Sequence, residues 1–458
     1  MIRLAFFILA TLLVGSAAVG LPQEGRPIAD VLALIAAADE GATVVVPPGV
    51  YHGALVVDKP ITLLGEGVVL DGDGIGDVVT LAAPGITFRG FTVRNSGHYI
   101  DQEATGMRVL FPGAVIEDNV LEEVLFGIDL RAASNSVLRR NTISGKDLNL
   151  GRRGDGIRLW ESDNCVLEGN HLIDTRDAIL WYSEGCLLKD NICERGRYGF
   201  HFMYSHNTQL LHNRIVDNSV GIYIMYSTGI VISENMLANN RGPSGYGIGL
   251  KDADDIEVSD NVIVGNRVGI YLDNSPFSMD SFGLMTRNVI GFNDMGMAYA
   301  PNVENNVLWD NAFIENTDQI GVLGRGDLTK NSFSKDGRGN YWTDYTGFDS
   351  DGDGIGDIPY ESVSLFDSLM ARESKLKLFV HSPAEQAIEL TARALPGIRP
   401  EPKFTDPTPL MALPELSFDA TPERSRLPMV LMGVLLLVCG GTVVFWLARP
   451  ANLPARAA

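Results

Sequence analysis

The chain has 458 residues and a formal net charge of −21. That length can bury a large core, and the acidic surplus argues against nucleic acid as a partner. Its 49 glycines suit a fold with frequent tight corners, and its four cysteines are too sparse for a disulfide framework.

Residues 1–20 read as a secretory signal. Arg3 is the basic start, 4–14 the apolar run, and Gly15-Ser16-Ala17-Ala18 the small-residue cleavage region. The body is therefore expected to be exported. Residues 28–39 predict a short amphipathic helix that caps the first open edge of a β-fold. Strand patterns follow at 43–46, 54–57, 61–64, 78–81 and 86–93. The matching phrases Ile61-Thr-Leu-Leu-Gly65 and Ile86-Thr-Phe-Arg-Gly90 lie 25 residues apart, as two early rungs of one stack would. Residues 99–106 read as a loop before the regular stack.

A repeat then takes over. Asn119, Asn141, Asn170, Asn191, Asn213, Asn235, Asn261, Asn288 and Asn311 recur at spacings of 22, 29, 21, 22, 22, 26, 27 and 23. The longer spacings hold insertions such as 146–152 and 241–245. A small-residue marker usually follows each asparagine by eight: Gly127, Gly156, Ala178, Gly199, Gly221, Gly247, Gly269 and Gly296. The first and third residues after each marker are apolar, as in Phe200 and Phe202 or Ile222 and Ile224. The residue between them varies, from Asp129 and Arg158 to Leu180, His201 and Tyr223. In-out alternation is the period of a strand. On this pattern Ile179 and Trp181 face inward and Leu180 outward. Two more apolar columns flank the asparagine, one holding Leu188 and Leu210, the other Cys193 and Ile215. Three short strands in about 22 residues predict an all-β fold, a right-handed parallel β-helix over 21–340. Asparagine at a fixed corner suits both a left-handed bend and an amide ladder along the stack.

Residues 341–397 hold an Asp/Gly-rich loop and a C-terminal helical segment. Residues 398–428 are punctuated by prolines and predict an extended linker. Residues 429–448 carry no charge, and twenty helical residues span about 30 Å, which predicts a C-terminal membrane helix. The tail 449–458, with Arg449 and Arg456 and no acid, suits the cytoplasmic side.

Two groups of residues could carry chemistry. Asp349, Asp351, Asp353 and Asp357 alternate carboxylates with turn glycines, which is how a short loop wraps Ca²⁺ in oxygen, although the terminal glutamate of an EF-hand is missing. Asp71, Asp73 and Asp77 form a shorter copy. The second group is an outward stripe four residues after the markers: Trp160, Tyr182, Met203, Met225, Lys251 and Asp273, with His201 and Tyr223 beside it. His206 lies just beyond. Exposed thioether beside imidazole suits Cu(I), so His201, Met203, Met225 and His206 are candidate copper ligands. The same exposed aromatic and methionine face equally suits docking, with Trp160, Tyr182 and Tyr223 as anchors. Cys193 fills an inward column. Cys165 and Cys186 stack as core neighbours, with packing or a disulfide as the open alternatives.

The phrases Arg197-Tyr-Gly-Phe-His-Phe-Met-Tyr204, Gly221-Ile-Tyr-Ile-Met-Tyr226, and Gly339-Asn-Tyr-Trp-Thr-Asp-Tyr345 followed by Asp351 to Tyr360 resemble the NosD family. So does Ser382-Pro-Ala-Glu-Gln-Ala-Ile-Glu-Leu390. The resemblance spans residues 25–397. It implies a periplasmic accessory protein, not an enzyme, that works with an ABC-type permease and its ATPase. In that role copper passes from a lipoprotein chaperone toward the copper–sulfur sites of nitrous oxide reductase. The C-terminal membrane helix is an extension of the family pattern. Competing readings are a carbohydrate-active β-helix enzyme, a lyase or epimerase, and a Ca²⁺-stabilised membrane-tethered scaffold. Tyr198-Gly-Phe200 is similar to a motif of alginate epimerases, but those continue Asp-Pro-His where this chain has His201-Phe-Met.

Overall fold

Short strands from successive turns pair in parallel and in register, and they close into a right-handed parallel β-helix. The computed structural model describes residues 25–414, apart from 325, 380, 381 and 399. One face is a twelve-stranded sheet running from Leu55–Val57 to Asp318–Val322. The strands before and after each asparagine form the other two faces, which join around that corner. The inward columns merge into one continuous core, as a stack of units that cannot bury their apolar faces alone requires. The two early phrases do stack, with Thr62 opposite Thr87. The predicted loop at 99–106 is shorter than expected: Thr105–Val109 is already a rung, with Met107 opposite Ile128.

The asparagine corner divides its two tasks. The left-handed residue is the one before each asparagine, including Asp190, His212 and Glu234 at φ 56°, 54° and 57°. The asparagines themselves turn inward. From Asn119 to Asn340, each Nδ2 donates to the Oδ1 of the next at 2.9–3.0 Å. Each Oδ1 also accepts a backbone N–H from the rung before, as Asn213 accepts from Asn191 at 3.0 Å. A second ladder, Asn218, Asn240, Asn266, Asn293 and Asn316, stands five residues further on.

Both ends are covered. The helix Ala29–Ala37 buries Val31 and Ile35 over the first turn. Lys59 Nζ donates to the terminal carbonyls of Ile35, Ala36 and Ala38 at 2.9–3.1 Å, satisfying orphan acceptors at the negative end of the helix dipole. At the other end the ladder finishes on Asp406, whose Oδ2 accepts the backbone N–H of Asn340 (2.7 Å) and the indole N–H of Trp342 (2.9 Å). Gly339 leaves the space for this contact, since a Cβ there would sit 2.0 Å from Asp406. The stretch 398–428 is thus not extended linker from its start. Thr405–Asp406 pairs with Tyr360–Glu361, and Phe404 stacks on Phe333 with ring centres 4.2 Å apart. The predicted signal, membrane helix and tail lie outside the described residues. Among those described, no helix is long and apolar enough to cross a membrane.

Candidate functional site

Four consecutive strands carry the site on their outward side: Ile157–Trp160, Asp177–Trp181, Tyr198–Met203 and Val220–Met225. Their register corrects one rung of the repeat. Ile157 stands opposite Ala178, Leu159 opposite Leu180, and Trp160 opposite Trp181. Ala178 and Leu180 therefore fill the inward columns, and Ile179 and Trp181 the outward ones, one residue off the predicted pattern. The marker position of this rung belongs to Asp177.

That substitution has a steric consequence. At Gly127, Gly199, Gly221, Gly247 and Gly269 a Cβ would lie 2.1–2.7 Å from a carbonyl oxygen of the next rung. Asp177 has a Cβ, and the ladder makes room for it by a β-bulge. Asp177 faces Tyr198 and Ile179 faces His201, so Gly199 and Phe200 together oppose Ala178. The Asp177 side chain is 1% exposed. Its Oδ1 accepts from Arg197 Nε (2.9 Å) and the Tyr198 N–H (3.2 Å), while Arg197 Nη2 holds Oδ2. Burial opposes its ionisation, but His201 and Arg197 override that and keep its carboxyl below the usual range. Asp155, partly exposed nearby, behaves oppositely: desolvation and then the Asp177 charge push it up to about 7.

His201 lies on the outward face with Met203, as predicted, but it is buried, at 7% exposure. The Tyr198 ring packs edge-on at 4.8 Å, and the Tyr223 ring lies at 6.3 Å. Neither imidazole nitrogen has a hydrogen-bond partner; Nδ1 lies 3.5 Å from Asp177 Oδ2. Met203 stands in register between Trp181 and Met225, both thioethers half-buried. His206 sits past the corner, and its Nδ1 already accepts the Thr228 N–H at 3.1 Å.

Of the three docking candidates, Trp160 and Tyr182 come together and Tyr223 stands apart. Trp160 packs on Trp181 at 4.8 Å and on Tyr182 at 5.9 Å. Tyr223 instead joins a row with Tyr198 and Tyr246. Tyr182 leaves the strand and occupies a corner, where Tyr182, Tyr204 and Tyr226 all have positive φ (52°, 52° and 55°) and stack at 5.3 and 4.9 Å. A left-handed non-glycine residue costs about 1–2 kcal/mol, and each ring pair returns about 0.5–1.5 kcal/mol. Asp177, Tyr204 and Tyr226 were not singled out by the repeat, and Trp181 was assigned to the wrong face. Spacing did not mark Asp177, because counting eight residues from Asn170 reaches Ala178; only the paired register puts an acid where the column has glycine.

In the acidic loop, carboxylate oxygens of Asp349, Asp351 and Asp353 come within 4.8 Å of one another, and Asp357 stays outside the group. Asp349 accepts the N–H groups of Gly352 (2.7 Å) and Gly354 (2.9 Å), and Asp357 accepts from Ser350. In the shorter copy, Asp71 and Asp73 gather with His52, whereas Asp77 pairs with Arg108. Cys165, Cys186 and Cys193 are buried free thiols. Asp129, a candidate outward acid, is fully engaged by Arg108, Arg131 and Arg158.

Fold and site together define a parallel β-helix scaffold that displays a soft-donor patch and an aromatic corner on one flank. Comparison with known proteins narrows this. The family model "Periplasmic copper-binding protein (NosD)" matches residues 139–347. A Pseudomonas aeruginosa protein titled "Probable ABC transporter binding protein NosD" is 31% identical over 437 residues, 89% of this chain and 95% of that one. A protein of the same title from Stutzerimonas stutzeri is 27% identical over 398 residues, 80% and 86% of the two chains. The chain belongs to the NosD family. Among solved structures, the A-module of the mannuronan C-5 epimerase AlgE6 from Azotobacter vinelandii superposes with a TM-score of 0.51 at 15% identity, covering 67% of this chain and 93% of that one. This likeness shows the fold alone.

Proposed function

We propose that this chain is an exported, non-catalytic accessory protein that takes up copper as cargo on the His201–Met203–Met225 face and passes it on beside an ABC-type transporter. The observation that carries the reading is the buried imidazole of His201, whose nitrogens make no hydrogen bond, two positions along the strand from Met203, which stands in register with Met225. Imidazole and thioether are the donors that suit Cu(I). The family model's periplasmic copper-binding description and the relatives' transporter-binding title support the same reading. The Tyr223 ring lies 6.3 Å from the imidazole, beside the ion's approach. His206 is a secondary ligand, because one of its nitrogens is already engaged.

The partners follow from the family resemblance: a permease with its ATPase, a copper chaperone lipoprotein and nitrous oxide reductase. The Trp160–Tyr182 corner is the main docking surface, and Tyr223 a further docking contact beside His201. The uncharged stretch 429–448 tethers the protein near its permease, which raises their effective concentration. Anaerobic competition of the full chain with a Cu(I) chelator tests the central claim. The His201→Ala/Met203→Ala variant is expected to lose at least about tenfold in affinity, and an unchanged affinity rejects the site.

A structural Ca²⁺ ion at Asp349, Asp351 and Asp353 is a separate proposal, supported by their convergence. Millimolar Ca²⁺ should raise the melting temperature of the parent and not of Asp351→Asn. Equal response in both would remove the ion from this loop.

A further inference from the structure

The repeat keeps glycine at its marker column in the neighbouring rungs and breaks the pattern at Asp177, where a β-bulge accommodates the side chain. β-Bulges re-aim side chains next to functional sites. Here the result is a carboxylate brought to the one buried imidazole of the strand. Arg197 grips both oxygens of Asp177, and the Tyr198 N–H binds Oδ1. The carboxylate is thus fixed before any ligand arrives. Its Oδ2 is 3.5 Å from His201 Nδ1, which has no other acceptor. The rings of Tyr198 and Tyr223 flank the imidazole and keep water from competing for that nitrogen.

We propose that Asp177 is a positioning residue: it holds His201 in the tautomer with the proton on Nδ1, leaving the Nε2 lone pair for the incoming soft metal. The contact is 3.5 Å and is expected to shorten when the metal binds, as a carboxylate behind a metal-bound histidine does. The purpose of this arrangement rests on the copper reading, but the tautomer itself does not. Asp177→Gly restores the residue found in the neighbouring rungs, so it is the substitution the fold tolerates best.

The test uses the full chain labelled with ¹⁵N at its seven histidines. His201 is assigned by its loss in His201→Gln, and long-range ¹H–¹⁵N spectra are recorded without metal. The parent is expected to show the Nδ1–H form, and Asp177→Gly a shift to Nε2–H. An Nε2–H parent, or a tautomer unmoved in Asp177→Gly, overturns the proposal. If the glycine variant does not fold, Asp177→Asn serves instead. Its amide can donate to Nδ1, so a mixture of tautomers is expected, and a pure Nδ1–H signal overturns the assignment. In chelator competition, Asp177→Asn should bind Cu(I) roughly 10–100-fold more weakly, and affinity within twofold of the parent denies it a role in ligand binding. Undiminished Cu(I) binding by His201→Ala would refute the copper reading and leave the tautomer result standing.

Discussion

At the scale of single residues, two acids with opposite environments stand at the candidate site. Asp177 is held ionised by His201 and Arg197 against its burial, whereas desolvation and the Asp177 charge raise Asp155 to about 7. An acid whose folded pKa is raised favours the fold in its protonated form. That contribution is complete below about pH 4 and is lost as pH rises toward 7. Asp155→Asn stays neutral throughout. It is expected to be more stable than the parent by about 1–2 kcal/mol at pH 8, allowing for solvent screening, and no more stable at pH 4. Thermal melts at both pH values decide this, and a gain independent of pH would place its origin elsewhere. His201 teaches a related point. Alternation placed it on the outer face, but not between the Tyr198 ring of its own strand and the Tyr223 ring of the next, because exposure depends on how side chains pack and not on alternation alone.

At the scale of elements, the asparagine ladder converts a sequence period into cohesion. Asn235 accepts the N–H and Nδ2 of Asn213 and donates to Leu210 O, Ser233 O and Asn261 Oδ1. Replacing it with alanine strands buried donors and acceptors on both neighbouring rungs, each at about 1–3 kcal/mol. Asn235→Ala should therefore destabilise by roughly 3 kcal/mol or more in denaturant unfolding. A loss under 1 kcal/mol would mean that the amides are solvated and the ladder is not a structural device. The anchor ladder was legible because its residues recur. The second, five residues on, was equally present in the sequence at Asn218, Asn240, Asn266, Asn293 and Asn316. It begins only midway, after Lys146, Thr175 and Gly196 in the same column, and so makes a weaker period.

At the scale of the whole molecule, the described solenoid depends on closed ends. The family-like ending from Gly339 to Tyr360 works with residues 404–410 as a lid. Trp342 stacks on Tyr360 at 4.4 Å, the Gly356 N–H donates to Pro409 O at 2.8 Å, and the Leu410 N–H donates to Asn340 O at 2.9 Å. A chain ended at residue 397 keeps every rung but loses Phe404, Asp406 and Leu410. It should melt at lower temperature and self-associate through the open edge. Light scattering and melting curves of the truncated and full chains test this, and a monomeric truncation of unchanged stability would show that the lid is dispensable.

The sequence by itself determined the repeat, the three strands per turn, the inward columns and the resemblance to one family, because each is written in residues at fixed local spacing. Tertiary structure decided what stands over what. The rung at Asp177 could not be aligned by spacing, since its bulge is a property of two paired strands. The end of the ladder could not be read either. Asn340 and Asp406 lie 66 residues apart, and no local period links them. The candidate site falls between these cases: its donors were visible as a stripe, while the carboxylate behind them emerged only when neighbouring rungs were laid side by side.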